Sequence, residues 1–338
     1  MVNKKTIIPN DTTFRYYFYF MSERMQMLRR KCKGMNQNEW TKDAILHDYK
    51  FTNVYRATDR VSQYLIRNII YKDLEQFSPE DVLLRILIFK IFNKPETWEF
   101  LCMSLSDPIS IKTYNPEEIA NLLTEYQHHH PIFNNAYMMA GSHLLYNNLP
   151  TKHYKWLMMV KKEILEKNLL KQILDANTLE TVYNLLNQCS FIGPFLAYQY
   201  AIDFNYSPYL NFSENSFVKA GIGAIRGVRK CFDSYGRNYE DAIKFVYDNF
   251  DNLSGQYNEQ IFSPLKGHAP TLIDLQNCFC ETDKYLRAKM PELKVGNVRI
   301  KQRYTIHQSA INYFFPPKWR VEEKLSYIPP AESTLFVY

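Results

Sequence analysis

The stretch "SPEDVLLRILIFKIFNKPETWEFLCMSL", residues 78–105, decides how the fold is read. Ser78 stands where a helix cap belongs, Pro79 fills the first helical position, and Glu80 and Asp81 put negative charge into the first turn. Apolar residues then recur at spacings of three and four, the period of a helix face. Asn115-Pro116-Glu117-Glu118 repeats the start signal at the head of "NPEEIANLLTEYQ". The same periodicity runs through "TDRVSQYLIRNIIYKDLEQF", "TKHYKWLMMVKKEILEKNLLKQILDA" and "NTLETVYNLLNQC". Strand-like alternation is scarce, chiefly "GNVRIKQRYTI" at 296–306. The expectation is a mainly all-α protein, one mostly helical unit over 1–338. It would form two helical lobes with a central cleft, the proline-rich C-terminus wrapped over the outside.

At 338 residues, 46% apolar and 22% charged, the chain has the composition of an ordinary globular protein with a large core. The most apolar run, "LLRILIFKIF" (83–92), is broken by Arg85 and Lys90 and falls short of the roughly 18 apolar residues of a membrane helix. The start, "MVNKKTIIPNDTTF", has lysines but no apolar signal core, so a cytoplasmic location and no membrane partner are expected. Cys32, Cys102, Cys189, Cys231, Cys278 and Cys280 include no CxxC pair, which suits reduced thiols rather than a zinc knuckle or a disulfide framework. His128, His129 and His130 are consecutive; on a helix their side chains diverge by about 100° each and cannot share an ion, so no metal is expected. A net charge of +6 permits a nucleic-acid partner without demanding one. The 26 Tyr and 22 Phe are mostly core material, though rings on a basic surface would also suit stacking on bases.

Several stretches could carry chemistry. In "SFVKAGIGAIRGVRKCF" (216–232), Gly221-Ile222-Gly223 makes a tight turn, and a helix from Ala224 would aim its amino end at an anion. Lys219, Arg226, Arg229 and Lys230 surround it with positive charge. The turn could hold a DNA phosphate, hold a pyrophosphate, or only join two helices; the helical pattern downstream disfavours the dinucleotide option. In "HAPTLIDLQNCFCETDKYLR" (268–287), Asp274 sits near a helix start, where it either caps the helix or serves as a catalytic carboxylate. Glu281, Asp283 and Lys284 follow within a few turns. In "FIGPFLAYQYAIDFNYSPYL" (191–210), Gly193-Pro194 starts a helix on which Gln199 is the odd polar residue. Finally, "FTNVYRATDRVSQYLIRNIIY" (51–71) reads as a helix with a core stripe of Leu65, Ile66, Ile69 and Ile70. Its Asn53, Arg56, Asp59, Arg60, Gln63 and Arg67 are either an internal ion-pair network or the wall of a site.

An ordered series of segments resembles a known family. It runs through "MSERM" (21–25), "WTKDAIL" (40–46), "FTNVYRATDRVSQYLIR" (51–67) and "FNNAYMM" (133–139). It continues with "GPFLAYQYAIDFNYS" (193–207), "FVKAGIGAIRGVRKCF" (217–232) and "LIDLQNCFCETDKYLR" (272–287). Over about residues 14–290 the chain is similar to the helical-domain family named for 5-hydroxymethyluracil DNA kinases and α-glutamyl/putrescinyl thymine pyrophosphorylases, a relative of the helix-hairpin-helix DNA glycosylases.

The resemblance implies a two-lobed, glycosylase-like helical fold. One lobe would comprise about 14–145 with 270–338, the other, containing the hairpin, about 150–268. It implies handling of a modified pyrimidine in double-stranded DNA: family members are associated with building hypermodified thymines in phage genomes, and others with anti-phage excision of sugar-decorated hydroxymethylcytosine. The sequence has no GxxxxGK[ST] stretch, so a kinase activity of its own is not expected. Carried onto this chain, Gly221 and Gly223 would grip a phosphate beside the target nucleotide, with Lys219, Arg226, Arg229 and Lys230 on the DNA backbone. Ile225 occupies the place where bifunctional glycosylases carry a lysine, so excision would proceed by water without strand cleavage. Asp274 is the expected catalytic aspartate, assisted by Glu281 or Asp283, with Asp241 in "NYEDAIKF" its rival by spacing. Asn53, Arg56, Asp59, Arg60, Gln199, Asn277 and Lys284 would hold the extruded base. No cofactor is implied. The expected function is a monofunctional DNA glycosylase for a bulky modified pyrimidine. The alternatives are an amino-acid or amine transferase acting on activated hydroxymethyluracil in DNA, and a non-enzymatic reader of modified DNA.

Overall fold

Asn10 accepts the backbone amide of Thr13 with its side chain and so starts the longest helix of the chain, Asp11–Cys32. The computed structural model describes residues 6–135, 139–257, 262–293, 302–306 and 309–329. In chain order the helices are α1 (Asp11–Cys32), α2 (Gln37–Trp40), α3 (Ala44–Asp48), α4 (Arg60–Tyr64), α5 (Pro79–Phe92), α6 (Pro95–Ser104), α7 (Pro116–Tyr126) and α8 (Lys152–Met159). They continue as α9 (Leu169–Leu174), α10 (Leu179–Asn187), α11 (Pro194–Asn205), α12 (Ile222–Cys231), α13 (Tyr239–Asp248), α14 (Phe250–Tyr257) and α15 (Leu272–Lys289). Strands among the described residues form two antiparallel pairs, β1 (Ile7–Pro9) with β2 (Phe232–Tyr235) and β3 (Ile311–Asn312) with β4 (Ser326–Tyr327). The mainly helical expectation holds. Of the strand expected over 296–306, residues 296–301 lie outside the described residues; in the remainder, Arg303 forms an isolated bridge with Tyr49.

The chain divides into two compact units, one of Met1–Arg60 with Ala220–Tyr338 and one of Val61–Lys219. In the first, α15 is the buried spine. Its apolar side (Leu275, Cys278, Phe279, Leu286) is sealed, with Tyr17 of α1 stacked on Phe279 at 4.2 Å. Helix α12 lies so close to α15 that only glycine fits at the crossing. A Cβ on Gly227 would sit 2.0 Å from the Phe279 carbonyl oxygen, and one on Gly223 would sit 2.2 Å from Cys280 Sγ. Small residues four apart let two helix backbones approach in this way.

In the second unit, α5 is buried from Val82 to Phe92, including both charged residues that interrupt its apolar run. The Arg85 guanidinium lies over Phe77 at 3.9 Å and Trp98 at 5.1 Å. Lys90 donates to Asn93 at 2.7 Å and pairs with Asp203 of α11 at 3.4 Å. Buried charge is tolerated when partnered in this manner. The expected caps are present: Ser78 Oγ accepts from the Asp81 amide and Asn115 Oδ1 from the Glu118 amide. Two long helical expectations are broken. The helix expected over 151–176 passes through a π-helical segment, Val160–Leu165, and stops at Asn168, which is left-handed at φ 52°. Residues 51–55 are not helical, and Arg56–Thr58 form only a 3-10 turn before α4. The cause is local: Asp59 captures the Asn53 amide at 2.9 Å and the Asn53 side chain donates to the Thr58 carbonyl at 2.9 Å, competing with helix bonds.

Candidate functional site

Helix periodicity places Asp274, Asn277, Glu281 and Lys284 on one stripe of α15, and Gln276, Cys280, Asp283 and Arg287 on a second. Thus a helix buried along nearly its whole length carries polar side chains over half its circumference, and each stripe needs partners. The first stripe finds them in segment 51–60 and in α1. Arg24 of α1 is buried and binds that segment by three contacts: Nε to the Thr52 carbonyl at 3.1 Å, and Nη2 to the Phe51 carbonyl at 3.1 Å and Asn53 Oδ1 at 2.9 Å. Glu281 accepts the Thr52 amide at 3.2 Å and the Lys284 ammonium at 2.7 Å. Asp59, half-buried, is pushed up to about 7; burial is the main cause and the Glu281 charge adds to it, while the Asn53 amide and the Arg24 and Arg56 cations oppose. Tyr304 and Tyr313, from the C-terminal segment expected merely to wrap the outside, interact electrostatically with Arg24.

Asp274 has a different environment. It stands at the third position of α15, not at its cap; Thr271 is the cap, and the two form a capping box. One carboxylate oxygen accepts the Thr271 amide at 3.0 Å and hydroxyl at 3.1 Å, and the other accepts the Arg56 amide at 2.8 Å. Burial raises Asp274 to about 6, against these hydrogen bonds. The structure places Asp274 against the Arg56 backbone, with both carboxylate oxygens accepting hydrogen bonds from Arg56 and Thr271. Its rival Asp241 is a surface acid at the start of α13, accepting from the Arg237 backbone at 3.1 Å and guanidinium at 3.3 Å.

On the second stripe, Asp283 is fully buried and collects cations: Lys230 at 2.6 Å, Arg287 at 3.4 Å and Arg226 at 3.6 Å. Arg226 and Lys230, expected on DNA, thus turn at least partly inward to this acid. Arg229 is exposed and lies on Tyr239, Nε to the hydroxyl at 3.0 Å. The expected hairpin at Gly221-Ile222-Gly223 is corrected as well. Residues 206–221 are irregular, Gly221 is the cap of α12 with φ −76°, and Gly223 already faces Cys280 inside the helix. No second helix precedes the turn closely enough to make a hairpin. Lys219 closes the other unit, and Gln199 is buried there on α11.

Two consecutive helices do form a hairpin in the second unit, at the stretch where the sequence placed a helix start, Gly193-Pro194, but not a hairpin. Helices α10 and α11 pack on each other and are joined by residues 188–193. The turn pivots on Phe191, left-handed at φ 68°, and Gly193-Pro194 then starts α11 without a side-chain cap. The Phe191 ring stacks on Trp156 at 5.1 Å, beside His143 and Tyr146. Packing of that ring holds a conformation that ordinarily favours glycine. Glu163 pins the turn, accepting the Ser190 amide at 2.9 Å and the Tyr146 hydroxyl at 2.6 Å. A hollow of about 830 Å³ opens beside it, with the exposed Lys162 and Lys167 in its wall. Among the described residues no group of His, Cys, Asp and Glu side chains is arranged to hold a metal ion, and no helix is long and apolar enough to cross a membrane.

A buried polar helix, an acid pair with cations beside it and a separate helical hairpin are features of a mainly helical protein. The chain belongs to the family described as "5-hmdU DNA kinase, helical domain", whose model matches residues 11–295. It is similar to a protein named 5-hmdU DNA kinase from Bacillus phage SP10, with 22% identity over 256 residues that cover 70% of this chain and 39% of the relative. The chain thus spans about two fifths of that relative's length. No solved structure matches the chain.

Proposed function

We propose that the chain acts on DNA containing a 5-hydroxymethylated pyrimidine, transferring a group onto the hydroxymethyl oxygen of a base received by the first unit. The observation that carries this is the Asp59–Glu281 acid pair, flanked by Arg24, Arg56 and Lys284. An acid with a value near 7 changes protonation at working pH, as a general base must. Asp59 would take the hydroxymethyl proton as the oxygen attacks the terminal phosphorus of a nucleoside triphosphate, whose bond to the bridging oxygen breaks so that the nucleoside diphosphate leaves. Arg24 would hold segment 51–53 in place through the Phe51 and Thr52 carbonyls and Asn53, and Lys284 would stay paired with Glu281. Family membership and the printed name of the phage relative, 5-hmdU DNA kinase, support this substrate class. Asp274 is left out of this chemistry because Thr271 and Arg56 already occupy its oxygens. The α10–α11 turn, with Lys162 and Lys167, is the proposed grip on the DNA backbone.

Base excision is the second reading. It needs only water and one carboxylate near cations, which the same pair supplies. Mass spectrometry of a 5-hydroxymethyluracil duplex incubated with the protein and a nucleoside triphosphate separates the two. Transfer makes the base heavier with its sugar bond intact; excision releases free base. Asp59→Asn should remove either product while sparing duplex binding. A duplex recovered unaltered after binding would leave only a non-enzymatic reader.

A further inference from the structure

Leu144 and Leu145 are 91% and 68% exposed, neighbours in one 3-10 turn of the second unit. Loop leucines on a floppy segment would mean little, but this turn is fastened on several sides. Trp156 Nε1 donates to the Ala140 carbonyl at 2.9 Å, His143 donates its amide to Asn147 Oδ1 at 3.1 Å, and the Tyr146 hydroxyl donates to Glu163 at 2.6 Å. Below, His143 and Tyr146 pack on the Phe191 ring. The two leucines are therefore held out on a rigid mount, and Leu145 forms part of the wall of the hollow that also contains Lys162 and Lys167. The acid of that wall, Glu163, is occupied by Tyr146 and Ser190, so the charge facing outward is the lysines'. Leu145 thus shares one wall with two exposed lysines, an apolar point beside positive charge, as a stack of bases stands beside its phosphates.

We propose that Leu144 and Leu145 form a wedge that enters the base stack of duplex DNA, while Lys162 and Lys167 contact the flanking phosphates. This rests on the DNA reading above and adds the device that opens the duplex. Extruding a base leaves a gap whose walls are apolar faces; a leucine inserted there replaces lost stacking and blocks return of the base. A surface for another protein would need neither the two lysines beside Leu145 nor a rigid projection.

The test uses a duplex with 2-aminopurine beside the modified base, whose fluorescence rises on unstacking. Wild-type protein should raise it. Leu144→Ala with Leu145→Ala should bind the duplex within about threefold of wild type, because phosphate contacts dominate affinity, yet lose most of the fluorescence rise. Its turnover should recover on single-stranded substrate, where no stack has to be opened. Lys162→Gln with Lys167→Gln should instead weaken binding and lower the salt slope by about 2. A leucine variant that unstacks as wild type does, or that changes only self-association of the protein, overturns the wedge alone. Wild-type protein that binds no duplex overturns the DNA reading and the wedge together.

Discussion

The backbone amide of Arg56 lies 2.8 Å from the carboxylate of Asp274, joining two residues 218 positions apart. This bond fixes segment 51–60 against the start of α15, and with it the positions of Asn53 and Asp59. Asp274→Ala would strand the Arg56 and Thr271 amides in a buried place, at a cost of about 1–3 kcal/mol for each orphaned group. A loss of roughly 2–6 kcal/mol in urea unfolding is expected, with Asp274→Asn milder because its amide oxygen still accepts one of the two. An Asp274→Asn protein of wild-type stability that has lost all turnover would return the catalytic role to Asp274.

Asp59 gives a pH prediction with a definite sign. Its folded value, about 7, is above the ordinary carboxylate value of 3.8, so the folded state holds the proton more tightly than the unfolded chain does. Its contribution to stability is complete below about 4 and is lost as pH rises through 7. Wild-type protein should therefore gain stability relative to Asp59→Asn as pH falls from about 7.5 to 4.5, read by urea melts of both proteins. Activity should run the other way, rising through about 7 as the base loses its proton. An activity profile that is flat from about pH 6 to 8 removes Asp59 from that role.

The helical framework was legible because its signals are local. Ser78-Pro79 and Asn115-Pro116 start helices by chemistry confined to a single turn, and the apolar period of α5 needs no distant partner to be seen. The hairpin was not legible: its left-handed residue is Phe191, so the glycine signature pointed instead to Gly221 and Gly223, which answer to Cys280 and Phe279 far along the chain. The polar density of Asn53, Arg56 and Asp59 was legible, and Glu281 and Lys284 stood out as charges after Asp274, but that Glu281 would meet segment 51–60 was not. Arg24 was missed because one arginine on a long helix looks like solvent-facing charge; only folding shows it buried against Thr52 and Asn53. Likewise, the cluster of Lys230 and Arg226 looked like a DNA surface until Asp283 was seen among them.

Contact between α12 and α15 makes a prediction about which strain can be relieved. Gly223→Ala meets the Cys280 side chain and Gly227→Ala meets the Phe279 backbone carbonyl. Each should cost about 1–3 kcal/mol or more, as overpacking does. Cys280→Ala should restore much of the first loss and none of the second, because it clears a side chain but cannot move a carbonyl of the helix. The double-mutant cycle with thermal melts reads this directly, and equal rescue of both glycine variants would show that the helices simply slide apart.

Asp283 separates a structural role of the basic cluster from a DNA-binding one. It is fully buried with Lys230, Arg287 and Arg226 around it, so Asp283→Asn leaves those cations without their counter-charge. Breaking such a buried pair costs about 3–5 kcal/mol. Lys230→Met should cost stability too, by leaving Asp283 short of its nearest cation, while the combined Asp283→Leu and Lys230→Met protein should recover part of the loss. In duplex-binding titrations over a range of salt, Lys230→Met should leave the slope of log affinity unchanged. A slope reduced by about 1 would mean that Lys230 neutralises a phosphate, and the ion pair with Asp283 would then be the unbound resting position of a DNA contact.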